Sequence, residues 1–429
     1  MKKKLLLTAY LLLTTFFVSG NLFASTGMDK ADSAWLIVAT ALVMFMTPAG
    51  LALFYGGMVR NKNLLNTYAM VFISYVIGSL IWMFWGYSLA FSGNGSIIGN
   101  LRNAFLSGIG INDVTGTIPT LLFAVFQMTF AAITIALVAG SIIERTKFSW
   151  WIIFSILWLT FVYSPVAHWV WGGGFLSKLG VIDFAGGIVV HITAGITGIT
   201  LALLIGKRKN YMKEPFFPSS VLLTALGAAL LWFGWFGFNA GSALAINGVA
   251  VNAFITTNTS GAIAALTWML LEWISEGKPT LLGLVSGAIG GLAAITPASG
   301  YVNFWGALII GLFAGIFGFY AVTWLKVKLG YDDSLDVFGV HGIDGIWGTL
   351  AAGLFADPSI NGKAGLFYGG GKLFVNQLIG IVVVIIFVVV LTVVLAYLSR
   401  ILTAGWRVSE EIEIEGLDQA FHGEKSFDL

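Results

Sequence analysis

Cysteine is absent from the 429 residues, which excludes disulfides, thiolate metal sites and thiol catalysis but says nothing about compartment. Charge is scarce too. Only 10% of residues are Asp, Glu, Lys or Arg, where a soluble domain carries about a quarter. The net charge of +2 and the lack of a basic arm argue against nucleic acid as a partner. No TVGYG-like run, acidic ring or long Arg-rich helix occurs, so a potassium filter and a voltage sensor are excluded. No GxxxxGK[ST], HExxH or GxSxG string occurs, which removes phosphate-loop, zinc-peptidase and serine-hydrolase readings.

What is abundant is apolar surface and glycine. Apolar residues make up 58% of the chain and 54 residues are glycine, above the usual share of about 7%. Glycine lets transmembrane helices approach closely, so the composition predicts a tightly packed all-α membrane bundle. Lys2, Lys3 and Lys4 precede an apolar run from Leu5 to about Val18 and then small residues. That is the layout of a signal peptide over residues 1–24, cut after Gly20 or Ala24; an uncleaved first helix is the alternative.

Eleven candidate transmembrane spans follow by apolar length, near 33–57, 65–91, 119–143, 148–166, 186–206, 219–241, 252–274, 280–297, 304–325, 338–356 and 373–399. Loops on one side hold Arg60, Lys62, Arg145, Lys147, Lys207, Arg208, Lys209, Lys213, Lys278, Lys326 and Lys328, and Arg400, Arg407 and Lys425 lie beyond the last span. The other side has only Lys30, Arg102, Lys178, Lys363 and Lys372. The positive-inside bias then puts the N-terminus out and the C-terminus in, as an odd span count and a cleaved signal also require. The acidic tail, 401–429, reads either as a solvated segment or as a regulatory one packed under the bundle.

Two histidines open the same pattern, once in each half. His191 begins HITAGITG and His341 begins HGIDGIWG, so both read His-x-x-x-Gly-Ile-x-Gly at a separation of 150 residues. An ionisable residue at bilayer depth marks a functional site by default. Matching positions in two halves suggest a duplication that brings both imidazoles to one internal path. Two neutral imidazoles can share one hydrogen and so satisfy each other without a charge, and burial disfavours their charged form. Such a pair suits a dry pore for a small polar passenger. Asp344, three residues after His341, and Asp183, eight before His191, leave open a metal or proton-relay constellation. Asp183, just before AGG at a span start, also suits a helix cap.

Aromatic clusters stand at FQMTF (126–130), PVAHWVWGGG (165–174) and WFGWFGFNAGS (232–242). Rings attract cations and the Ser242 hydroxyl accepts hydrogen bonds, so a pocket built from them suits a small N–H-bearing cation. Bundle core is the other reading of these clusters.

The strings TPAGLALFYGGMVR (47–60), AHWVWGGG (167–174), DFAGGIVVHITAG (183–195), GWFGFNAGSA (234–243) and DVFGVHGI (336–343), with RVSEEIEIEGLD (407–418), resemble the ammonium transporter (Amt) family in order and spacing. The resemblance covers the chain from about Asp29 onward. It implies a transmembrane domain over 29–400, built as an inverted five-plus-five repeat (about 33–206 and 219–356) plus a last helix (373–399). It also implies a homotrimer in a bacterial inner membrane, each subunit with its own pore, and no cofactor or metal. By matching motif, His191 and His341 would be the pore pair. Phe130, Trp171 and Ser242 would recruit ammonium, Phe126, Phe130 and Phe238 would gate, and Asp183 would orient the entrance or assist deprotonation. Asp333 matches an acidic position at a helix start, and Asp344 matches no family role: it reads either as facing His341 or as a lipid-avoiding helix–helix contact. Ammonium would lose a proton before or within the gate and ammonia would pass the histidines, the proton either staying behind or following by its own route in electrogenic transport. A PII-type regulatory protein would bind the tail side.

Three rivals remain. An Rh-type ammonia or carbon dioxide channel would share the histidines, but Trp171 and Ser242 favour cation recruitment. An ammonium sensor often adds a long signalling domain, for which a tail of about thirty residues is short. A membrane enzyme would need a third or fourth metal ligand converging on the pair.

Overall fold

The computed structural model describes residues 27–426, so the predicted signal peptide lies outside the described residues. In chain order the long helices are α1 (Lys30–Met58), α2 (Asn61–Phe91), α3 (Thr120–Ala139), α4 (Phe148–Leu179), α5 (Gly187–Ile205), α6 (Val221–Gly241), α7 (Gly248–Glu276), α8 (Leu281–Ile295), α9 (Phe304–Leu329), α10 (338–355) and α11 (Gly371–Leu402). Among the described residues the only sheet is a two-stranded hairpin, β1 (Val114–Thr115) with β2 (Ile118–Pro119).

Each predicted span coincides with one of these helices. By length and composition nine of the eleven can cross a membrane on their own, all but α8 and α10. α8 has 15 residues, about 22 Å of helix, short of a hydrocarbon core of about 30 Å. α10 carries His341 and the fully buried Asp344. Both are helices that protein rather than lipid must enclose.

Side chains cap the starts of several of these helices. Asp29, Ser220, Asn247, Thr280 and Asn303 each accept from the first free backbone N–H groups of α1, α6, α7, α8 and α9. The outer surface is apolar, with Val382, Ile386, Val390 and Val394 exposed along α11, as a lipid-facing helix requires. Polar side chains turn inward, and many hydroxyls bond a carbonyl of their own helix, as Thr134 does to Phe130 (2.6 Å) and Ser74 to Met70 (2.6 Å). Wide π-type turns interrupt several helices, and two of them, Gly187–Ile192 in α5 and Phe338–Ile343 in α10, hold the two histidines. Such turns recur at functional sites.

The loops of the basic face are locked by buried ion pairs. Glu144 takes Arg60 (3.1 Å) and Arg208 (2.7 Å), and Arg208 also takes Asp332 (2.7 Å). Arg145, fully buried, donates to the Asp332 carbonyl at 2.6 Å, to the Ser334 hydroxyl at 2.6 Å and to the Gly206 carbonyl at 2.8 Å. Burial pushes the Asp332 carboxyl up, but Arg145 and Arg208 outweigh it and hold it at about 2. The tail folds back onto this face. The Glu413 carboxylate accepts from the Lys209 amide (2.5 Å) and from Arg407 of the tail itself (2.8 Å), and the Asp418 carboxylate accepts from the Leu65 (3.0 Å) and Asn66 (2.8 Å) amides at the start of α2. Of the two readings of the tail, packing under the bundle is the one observed, through a short helix α12 (Glu410–Glu415).

Because the folded Asp332 sits below its unfolded value of about 3.9, its contribution is complete above that pH and lost as pH falls toward about 2. The melting temperature of the purified protein is expected to fall through this window. Asp332→Asn should lower it at neutral pH and flatten the acid limb; an unchanged acid limb would show that other carboxylates set it.

Candidate functional site

The crossing of α5 and α10 builds the site. A Cβ on Gly195 would lie 2.3 Å from the Gly342 backbone, and one on Gly345 would lie 3.0 Å from the His191 Cβ. These are the glycines at the fourth position after each histidine, so the repeated pattern encodes a mutual approach: each glycine removes the side chain that would hold the other helix away. The next pattern glycines act likewise, Gly198 against the Ser141 hydroxyl (2.3 Å) and Gly348 against the Ala294 carbonyl (1.9 Å), again measured to a built Cβ.

At this crossing the imidazoles meet. His191 Nδ1 and His341 Nδ1 are 3.2 Å apart, with rings 5.2 Å between centroids and inclined by 12°. A single Nδ1–H shared between two Nδ1 atoms requires opposite tautomers, one ring carrying its hydrogen on Nδ1 and the other on Nε2. Both rings are buried, and His191 Nε2 has no partner among the described residues. Trp235 stacks on His191 at 5.5 Å. The walls are otherwise apolar, including Met46, Ile133, Leu137, Leu231 and Ile289, and the free volume beside the rings is about 10 Å³. That is the space of one water-sized molecule.

Two further cavities continue the line. Toward the basic face, one of about 20 Å³ is bounded by His341, Tyr55, Val340 and Asp336. At the opposite mouth, one of about 260 Å³ is bounded by Phe130, Trp171, Ser242, Phe123, Gln127 and Phe184 among others. Between mouth and histidines, Phe130 and Phe238 stack at 4.1 Å and 20°. Phe126 meets Phe130 edge-on at 4.9 Å, and Trp171 meets it edge-on at 5.9 Å. The Ser242 hydroxyl donates to the Phe238 carbonyl at 2.8 Å, which leaves its lone pairs as acceptors.

Asp183 is held by backbone. Its Oδ1 accepts from Gly186 (2.8 Å) and Gly187 (2.7 Å), and its Oδ2 from Ile188 (2.8 Å) and Val189 (3.1 Å). Gly186, at φ +115°, makes the turn that aims those amides back. The Trp171 indole N–H donates to the Asp183 carbonyl at 2.8 Å, so this residue fixes both the start of α5 and the mouth indole. Four backbone donors fill the hydrogen-bonding capacity of its two oxygens. Asp333 likewise accepts from the Phe338 amide at the start of α10 (2.7 Å).

Asp344 does not face the imidazoles. Its carboxylate packs against Gly290 of α8 and Gly318 of α9, with neither oxygen partnered among the described residues. No group of three His, Asp or Glu side chains is placed to hold a metal ion among the described residues. The structure therefore brings together His191, His341, Phe126, Phe130, Phe238, Trp171 and Ser242, keeps Asp183 beside them, and separates Asp344. Sequence reasoning missed Gln127, Phe123 and Trp235 as individual site residues. Their signal was the helical spacing Phe123, Phe126, Gln127, Phe130 on α3 and Trp235, Phe238, Ser242 at α6.

A multi-pass helical membrane protein that encloses a narrow apolar path, with an aromatic mouth and a hydrogen-sharing imidazole pair, belongs to the transporter and channel class. The Ammonium Transporter Family profile matches residues 34–427. An ammonium transporter of Aquifex aeolicus is 49% identical, covering 97% of this chain and 98% of its own. Among solved structures, Saccharomyces cerevisiae Mep2 is 37% identical at a TM-score of 0.82, covering 90% of this chain and 92% of its own. A structure described as a sensor Amt protein is 27% identical at a TM-score of 0.84, covering 91% and 98%. The chain belongs to the ammonium transporter family.

Filling the crossing should break it. Gly195→Ala is expected to destabilise the fold by about 1–3 kcal/mol by overpacking and to move the imidazoles apart, with transport lost. Gly248→Ala on α7, with nothing within 4 Å of a built Cβ, should be silent. Thermal unfolding and substrate uptake of the two variants check this; equal behaviour would mean the helices do not meet at Gly195.

Proposed function

We propose that the protein takes up ammonium by capturing the cation at the mouth, releasing one proton to the water that the mouth cavity has room for, and passing ammonia along the imidazole pair. The observation that carries this is the 3.2 Å Nδ1–Nδ1 contact in an almost closed apolar space. A bare cation there would lose its hydration without any carboxylate in return, whereas neutral ammonia can trade single hydrogen bonds with ring nitrogens. The rings of Phe130 and Trp171 that line the mouth cavity, with the Ser242 oxygen, supply the cation–π and acceptor chemistry of recruitment. Phe130 and Phe238, stacked across the path with Phe126 behind them, act as the gate and must part for passage.

The same reading takes all eleven helices as spans, related as an inverted repeat of five plus five with α11 added. The basic face is then cytoplasmic by the positive-inside bias, in a bacterial inner membrane. Each subunit of a homotrimer carries its own path, and the folded tail with its ion-paired loops offers a platform for a PII-type regulator. A sensor that reads occupancy is the second reading, favoured by the likeness to the sensor Amt structure. Flux separates the two.

Radiolabelled methylammonium uptake in a host lacking its own transporters tests this. His191→Ala and His341→Ala are expected to lose most uptake. Trp171→Leu should raise the half-saturating concentration by about five- to thirty-fold, the loss of about 1–2 kcal/mol of cation–π attraction. Full uptake in both histidine variants would remove the pore assignment, and wild-type binding without uptake would favour the sensor.

A further inference from the structure

The mouth contains one polar side chain that the recruitment scheme leaves idle. Gln127 lies on α3 between Phe123 and Phe130, is 8% exposed, and borders the mouth cavity with Phe130, Trp171 and Ser242. Its Oε1 has no hydrogen-bond partner among the described residues. A buried amide carbonyl left unpaired is unfavourable, so its presence beside a cavity calls for a donor that arrives from outside the protein. The amide oxygen and nitrogen exchange places by a half-turn of the last side-chain torsion, which lets the carbonyl swing to the cavity when a donor enters.

We propose that Gln127 is a further ligand of the recruited cation, accepting a hydrogen bond from an ammonium N–H and so selecting N–H donors over bare cations at the mouth. The proposal rests on the recruitment reading above and deepens it. Aromatic faces attract any small cation without regard to direction, so Phe130 and Trp171 alone would hold an alkali ion and ammonium alike. Direction must come from acceptors. Ser242 has already given its hydroxyl hydrogen to the Phe238 carbonyl (2.8 Å) and supplies one acceptor. Asp183 is fully occupied by four backbone amides and supplies none. Gln127 is the second acceptor, set on α3 on the same helical face as Phe123 and Phe130, so a cation held over the Phe130 ring also meets the amide. Two placed acceptors and two rings match four N–H bonds, with no fixed negative charge to retain the ion.

The test measures the half-saturating concentration for methylammonium uptake and its inhibition constants for ammonium and for caesium, which has no N–H. Wild type, Gln127→Leu, Gln127→Glu, Trp171→Leu and Ser242→Ala are compared at matched membrane expression. Gln127→Leu is expected to weaken methylammonium and ammonium by about tenfold, the worth of a hydrogen bond to a charged group, while caesium inhibition changes by less than about twofold. Gln127→Glu keeps an acceptor and should bind both N–H cations at least as tightly as wild type. Equal weakening of caesium and ammonium in Gln127→Leu, or a Gln127→Glu variant as weak as the leucine one, would show a packing role and overturn the proposal. So would unchanged ammonium binding in Gln127→Leu alongside weakened binding in Trp171→Leu and Ser242→Ala, with the recruitment reading left standing. If none of the four variants alters binding, the recruitment reading itself falls, and Gln127 with it.

Discussion

The approach of two helices to backbone contact is the constraint on which the rest depends. α5 and α10 cross where Gly195 faces Gly342 and Gly345 faces His191, and only there can two imidazoles share a hydrogen at 3.2 Å. The π-type turns that hold each histidine, Gly187–Ile192 and Phe338–Ile343, lie at this crossing. Bilayer physics explains why the arrangement is built from backbone proximity. Lipid gives helices no hydrophobic drive to associate, so van der Waals contact between small residues must supply it. The same closeness squeezes the space beside the rings to about 10 Å³.

That narrowness sets what each end must do. A path with apolar walls rejects charge because desolvation is unfavourable, so in the proposed scheme the cation is captured at the mouth before the path begins. The mouth cavity offers rings and neutral acceptors for that task, Phe130, Trp171 and Ser242 among them. Asp183, beside the mouth, gives its carboxylate to backbone amides and its main-chain carbonyl to the Trp171 indole. At the basic face charge is used freely but in closed pairs. Glu144, Arg208 and Asp332 satisfy one another, and burial of such pairs fixes loop geometry more than it adds stability. The tail seats on this platform through Glu413, on the Lys209 amide, and Asp418, on the Asn66 amide at the start of α2.

Much of the site was legible because its motifs are local. The doubled His-x-x-x-Gly-Ile-x-Gly string pointed to a meeting of imidazoles, and the family resemblance carried Phe130, Trp171 and Ser242 to one mouth with Phe238 at a gate below it. The span boundaries followed from apolar length, since membrane helices end where the bilayer ends. What was not legible involved facing. Asp344 looked close to His341 from a spacing of three, yet the π-type turn just before it alters helical phase, and its carboxylate ends against Gly290 and Gly318. Gln127 sat unnoticed inside an aromatic cluster because spacing along α3 does not show which groups find partners.

Sequence by itself determined that this chain is a membrane protein, where its helices run, that basic residues gather in alternate loops and that two histidines open the same short pattern. These properties follow from composition and short-range periodicity, which the bilayer reads residue by residue. Only the tertiary structure decided that the rings meet through Nδ1, that the pattern glycines serve the opposite helix, that Asp183 caps with both oxygens and that Gln127 waits unpaired at the mouth. Each of these depends on groups far apart in the chain arriving within a few ångströms. That outcome is set by packing across helices and not by any one helix's own preferences.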